Sequence, residues 1–191
     1  FRSKVMEEHP DQQTNRPVMI HAQLVREEEL KKMKKLEMIP SFFVAHTYYW
    51  GDIHLQNFGK ARAERISPVQ DAIQAGLRYT FHQDTPVLPP DMMKTIGCAV
   101  NRVTREGVLL AKEQRVTVQE ALEAVTIHAA YQYGEEADKG SIEAGKKANF
   151  VILDKNPLHT PHEELESIKV LETIVDGETI FCRETKCLGS V

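Results

Sequence analysis

The sequence predicts an α/β fold whose parallel strands deliver polar side chains to one end of a sheet. Three observations carry this. In Leu77–Val87, alternating apolar residues (Leu77, Tyr79, Phe81) stop at a polar cluster around Asp84, the pattern of an inward barrel strand that brings a carboxylate to the barrel mouth. Residues 17–84 read strand–helix–strand–loop–helix–strand, the order of right-handed parallel βα units. From Gly140 onward the chain turns to β, with a hairpin signal at Asp176-Gly177.

Taken in order, Pro17 opens the run Val18-Met19-Ile20, which stops at His21-Ala22-Gln23. A run apolar on both faces suits a strand buried in a parallel sheet. Residues 26–37 follow as a helix with a Leu30/Met33/Leu36 stripe. Its Glu27/Lys31 and Glu28/Lys32 pairs stand in the favourable i,i+4 order. A second strand spans Ile39–Val44. Residues 45–65 show no clear periodicity and read as a long loop holding His46, Tyr48, Tyr49, Trp50, Asp52 and His54; such loops are often functional. Ser67 is the expected N-cap of the next helix, with Pro68 in its first turn and Gln70 completing a capping box. Val69, Ala72 and Ile73 face inward and Gly76 is the left-handed residue after the helix. The strand ending at Asp84 follows.

Beyond Pro89-Pro90, Asp91–Thr104 reads as a helix with Met92, Ile96, Ala99 and Val103 on one side. Thr117 and Glu120 form a capping box for a helix running through Leu122, Val125 and Ala129 to Tyr133. Asn149–Asp154 is a strand, and Leu171–Val175 and Glu178–Phe181 flank the Asp-Gly turn. The division expected is 1–90 for the strands and helices of the sheet, 91–139 for further helices, 140–183 for the β part and 184–191 for a frayed tail.

Composition narrows the function classes. The chain has 191 residues, 41% hydrophobic and 27% charged, with a formal net charge of −4. Mild acidity gives no reason to expect nucleic acid or an anionic membrane as partner. No apolar run approaches the roughly 20 residues of a membrane span, and no signal-peptide core is visible. With three cysteines, a disulfide framework is not expected, and a reducing, cytoplasmic setting is. Cys182 and Cys187 lack the His or Cys neighbours of a zinc site. The opening at Phe1 reads as a start inside something longer.

The segments PVMIHAQ, FHQDTPV, TVQEALEAVTIHAAYQYG, KGSIEAGKKANFVILDKNPL and VLETIVDGETIF stand in the order found in the C-terminal part of the metal-dependent amidohydrolases. The chain resembles the YtcJ-like subgroup (amidohydrolase family 3), which includes N-substituted formamide deformylases and exoenzyme regulatory proteins. The resemblance covers about 17–181. It implies the C-terminal portion of a distorted (β/α)8 TIM barrel, closed by helices over 91–139, plus part of a β-sandwich built from both chain termini. In that family the metal ligands are an HxH pair on the first strand, a carboxylated Lys, acid or Cys on a middle strand, His on the fifth and sixth strands, and Asp on the eighth. The resemblance implies that His21 is the sixth-strand His and Asp84 the eighth-strand Asp. A divalent metal, zinc by preference, would polarise the carbonyl of a small amide substrate and lower the pKa of a water. Asp84 would take that water's proton and pass it to the leaving amine.

The residues agree with this on their own terms. Both stand at C-terminal strand ends, where barrel active sites sit, and an imidazole with a hard oxygen suits zinc or a similar ion. The plainer alternatives are a hydrogen-bonded core His21 and an Asx-turn Asp84 before Thr85-Pro86. His82, two residues before Asp84, falls on the same strand side if the strand persists, as substrate lining or a ligand's support. His46, Tyr48, Tyr49 and Trp50 lie where the family's substrate loops fall. His128, on the apolar side of a helix, reads as structural, as do His159 and His162 in a Pro-containing loop.

What is missing also counts. The eight histidines include no HxH, no Lys stands in a recognisable middle-strand motif, and a full barrel takes ~250 residues. The expectation is therefore a C-terminal part of a hydrolase of amide or formamide-like C–N bonds. Alone it should be inactive, completed by the N-terminal part of its own chain or by a partner chain, a homodimer among the options. Two rivals are a regulatory or binding protein that keeps the fold without turnover, and an independent α+β domain.

Overall fold

A computed structural model of the chain describes residues 16–183 together with Lys4, Glu7 and Glu8. The expected tail 184–191, with Cys187, lies outside the described residues, as does His9. Two three-stranded sheets organise the described residues. The first is parallel, in the order β1 (Val18–His21), β2 (Ile39–Phe42), β3 (Thr80–Phe81). The second is antiparallel, β4 (Phe150–Leu153), β5 (Val170–Val175), β6 (Glu178–Cys182).

Parallel neighbours need crossovers, and helices supply them here. α1 (Glu27–Lys35) joins β1 to β2 and buries Leu30 and Met33. Its first turn is acidic and its last basic, which complements the helix dipole. The β2–β3 crossover departs from the sequence reading. Residues 45–65, expected as a loop, form three short helices: α2 (His46–Tyr49), α3 (Gly51–Phe58) and α4 (Lys60–Ala63). Two of them have four residues, too short to write a helical period into a sequence. A tight contact seats α3: a Cβ on Gly51 would lie 2.5 Å from Thr104 Cγ2. α5 (Val69–Gln74) completes the crossover, but Ser67 does not cap it. Pro68 is the N-cap, no side chain caps the helix, and Ser67 Oγ is buried without a partner. At its other end Gly76 adopts φ +69° as expected.

β2 is the middle strand and is buried throughout. Among the described residues β1 has a neighbour on one side only, and Met19 and Ile20 are 41% and 55% exposed rather than covered on both faces. β3 is cut to two residues; Asp84 lies past its end, in a turn at φ +54° closed by Val87 N–H donating to Asp84 O. Tyr79 OH donates to Glu120 O and Thr80 Oγ1 to Gln132 Oε1. These bonds hold two helices against the sheet, α7 (Val118–Val125), with its Thr117/Glu120 capping box, and α8 (Ile127–Tyr133). The sequence read these as one helix; the backbone breaks at Thr126 (φ −122°, ψ −94°). Between β3 and α7 lies α6 (Met92–Asn101), capped by Asp91.

The core of the first unit is built from Leu30, Phe42, Phe43, Val44, Ile96 and Val100, with Leu165 and Ile168 of the later segment packed into it. The Asp176-Gly177 turn joins β5 and β6, both residues at positive φ. Cys98 is a buried free thiol, while Cys182 is disulfide-bonded, unlike the reduced set that the cysteine count implied. Among the described residues, no helix is long and apolar enough to cross a membrane.

Candidate metal centre

The register places the three strand ends together. His21 pairs with Phe42 and Phe42 with Phe81, so His21, Phe43 and His82 emerge side by side at the C-terminal edge of the sheet. His82 N–H donates to Phe42 O, which extends the pairing one residue past β3. The chain leaves β1 through two consecutive left-handed residues, His21 (φ +68°) and Ala22 (φ +44°).

His21 Nε2 lies 3.3 Å from Asp84 Oδ2, both side chains about two-fifths exposed (39% and 41%). One ligand atom each from His21, His82 and Asp84 fall within 4.8 Å of one another. Among the described residues no other group of three metal-ligating side chains comes so close. Strand alternation did not bring His82 and Asp84 together, because the strand ends at Phe81; the turn did. His82 Nδ1 is hydrogen-bonded to Ser41 Oγ at 2.9 Å, and its Nε2 is buried with no partner. Burial, and then the nearby His21, hold His82 below the usual histidine value, against the pull of Asp84.

Phe43 is the shared wall. Its ring contacts those of His21 (5.8 Å between centroids), His82 (5.4 Å), His46 (4.7 Å) and Trp50 (5.8 Å). His46 stands beside the centre, 6.5 Å from His21 by ring centroids, with Trp50 tilted against it at 4.6 Å. Burial and then His54 push His46 down to about 4, and burial lowers His54.

Tyr49 touches Trp50, with 5.6 Å between ring centroids, but Tyr48 and Tyr49 otherwise pack with a second set of residues. Lys94 and Arg105 sit over their rings, and Lys94 is paired with Glu166 at 3.3 Å. His128 packs on Tyr79 at 5.3 Å. His159 faces Asn156 in an exposed loop, and His162 opens a 3-10 turn. Ser41, Phe43 and Gln23 carry no site signal of their own in the sequence, and His54 stands out only as part of the expected 45–65 loop. Ser41 and Phe43 were visible in principle, as alternate residues on the strand whose neighbours carry His21 and His82. Beside His21 an open apolar groove of about 840 Å³ runs along β1 and α1, lined by Met19, Ile20, Leu24, Met33, Leu36 and Met38 among others.

Residues 3–181 match the model of a family described as the amidohydrolase family. The chain belongs to the amidohydrolase family. Its relatives include an N-substituted formamide deformylase of Arthrobacter pascens, 35% identical over 129 residues, or 67% of this chain and 24% of that protein. The putative amidohydrolase YtcJ of Bacillus subtilis is 23% identical over 182 residues, 92% of this chain and 34% of that one. These place the chain in the YtcJ-like branch, amidohydrolase family 3. Among solved structures, an uncharacterized metal-dependent hydrolase of Pyrococcus horikoshii matches with a TM-score of 0.66 at 28% identity, over 76% of this chain and 30% of that one. The chain thus spans a quarter to a third of the length of these relatives.

Proposed function

We propose that the protein to which this amidohydrolase chain belongs is a metal-dependent hydrolase of C–N bonds in amide or formamide-like compounds. The convergence of His21, His82 and Asp84 within 4.8 Å carries the reading. The donor set fits a divalent ion, zinc by preference: two imidazoles and a carboxylate, with one imidazole nitrogen, His82 Nε2, buried and unpartnered. His21, Asp84 and His82 would hold it, His82 being oriented by Ser41. When bound, such an ion polarises a carbonyl and lowers the pKa of water.

The chain's own residues do the remainder. Asp84, partly open to solvent, takes a proton from the attacking water and returns it to the departing amine nitrogen. Phe43 forms the apolar wall between His21 and His82, with Trp50 packed behind it. His46 is a polar group available to orient the substrate. Three protein donors are as many as a catalytic zinc needs, but among the described residues β1 is paired on one edge only, and the chain spans a quarter to a third of its relatives. We therefore propose that the rest of the site comes from another part of the parent protein or from a partner chain, within a (β/α)8 barrel of which β1–β3 are late strands. Residues 91–139 then close that barrel and β4–β6 contribute to its sandwich.

The test is Asp84→Asn in the parent enzyme assayed on an N-substituted formamide. A kcat loss of roughly 10³-fold with metal content retained is expected. Unchanged turnover removes Asp84 from the chemistry, and absence of both turnover and metal from the unmutated protein favours a non-catalytic binding role.

A further inference from the structure

Gln23, His46 and His54 form a closed triangle beside the candidate centre. Gln23 Nε2 lies 3.1 Å from His46 Nδ1 and 2.9 Å from His54 Nε2, and the two ring nitrogens are 3.2 Å apart. An amide NH2 group carries two N–H donors and no acceptor. Both imidazole nitrogens that face it therefore accept. A neutral imidazole has one N–H, which must then sit on the other nitrogen. A ring whose facing nitrogen accepts cannot be the doubly protonated imidazolium, so both rings are neutral in this arrangement. His46 accordingly carries its proton on Nε2, and His54 on Nδ1. The two outward N–H groups differ in access. His54 Nδ1 is sealed from solvent without a partner. His46 Nε2 has no partner among the described residues and is not among the sealed atoms, and its ring lies 6.5 Å from that of His21.

We infer that Gln23 is a positioning residue that fixes the tautomer of His46, making its Nε2–H a hydrogen-bond donor to a carbonyl oxygen held beside His21 and Asp84. The identity of that ligand rests on the hydrolase reading; the tautomers do not. A donor fixed in advance suits an oxygen on which negative charge develops during acyl transfer.

The experiment is long-range ¹H–¹⁵N spectroscopy of histidine-labelled protein at pH 8, which reports the protonated nitrogen of each ring. The expected pattern is Nε2–H for His46 and Nδ1–H for His54. Gln23→Glu replaces the double donor by a double acceptor of the same shape, so both rings should move their protons to the nitrogens that face it. Gln23→Leu leaves the rings to bond each other, so one of the two facing nitrogens should gain a proton. A native His46 protonated on Nδ1, or a pattern unmoved in both variants, overturns the inference. In the parent enzyme, Gln23→Glu should lower kcat/KM on a formamide at least tenfold with metal content unchanged. Reversed tautomers without that loss would remove His46 from the reaction and overturn its donor role. A native protein without turnover but with the expected tautomers would sink the hydrolase reading instead.

Discussion

Asp84 meets His21 from a backbone conformation that most residues avoid, φ +54°, and His21 answers from φ +68°. Asp tolerates the left-handed region better than most side chains; His21 adopts it at the point where the strand must stop and turn. Neither conformation is legible in the sequence, whereas the residue types at the strand ends are. His82 shows the same division. Its position two residues before Asp84 could be read, but the Ser41 hydroxyl that orients it came from a neighbouring strand 41 residues away in sequence. Ser41 is 3% exposed, so the bond is protected from water. Partners that orient a metal-ligating imidazole typically change affinity by about 10–100-fold when removed. Ser41→Ala should therefore weaken zinc binding by about that factor, read by competition with a chromophoric chelator. An unchanged affinity would mean that His82 does not contribute to the site.

At the scale of elements, long periodic segments could be read and short or one-sided ones could not. α1, α6 and the β5–β6 hairpin follow their patterns because each carries a stripe, a cap or a turn residue of its own. The α2–α4 segment does not, because its helices are held by tertiary contacts such as Gly51 against Thr104 rather than by their sequence. One such contact is a fully buried arginine that no sequence pattern points to. Arg102 donates from Nε to Leu110 O, from Nη1 to Ser67 O and from Nη2 to Ile66 O, joining the end of α6 to the turn before α5. Burial lowers its pKa to about 10, which leaves it charged at neutral pH. Arg102→Leu strips several buried carbonyls of their donor at once, and each is worth about 1–3 kcal/mol when left unsatisfied. The expected loss is on the order of 3 kcal/mol or more in urea unfolding, with Arg102→Lys between the two. A loss under about 1 kcal/mol would show that water replaces the guanidinium. Glu37 makes the opposite case. It is exposed, follows α1 and sits at φ +52°, the place where glycine is preferred. Glu37→Gly should raise stability by about 1 kcal/mol, visible as a higher urea midpoint.

For the whole molecule, the sequence located the two β regions and their order, because parallel βα units and an Asp-Gly hairpin each write a local signature. It could not show that β1 is paired on one side only among the described residues, because a strand apolar on both faces looks the same whether or not its neighbour is present. The distribution of buried histidines has a global consequence. His46, His54, His82 and His128 all lie below the ordinary histidine value of 6.5, burial being the largest cause in each, and His46 falls to about 4. The fold thus holds these rings neutral, and the unfolded chain binds their protons first. Their contribution is fully present above about pH 6.5 and is lost as pH falls toward the folded values, near 4 for His46. Glu29, Glu136 and Glu143, lowered from 4.5 by hydrogen bonds to neighbouring side chains, act in the next window. Their stabilisation is present above about pH 4.5 and fades only below it. In chelating buffer, the urea midpoint should therefore hold from pH 8 to 6.5 and decline between 6.5 and 4.5, before the carboxylates contribute. His128→Gln, remote from the candidate centre, should make that decline shallower without changing zinc affinity. A midpoint that stays flat down to pH 4.5 would mean that the four rings are no harder to protonate in the fold than in the unfolded chain.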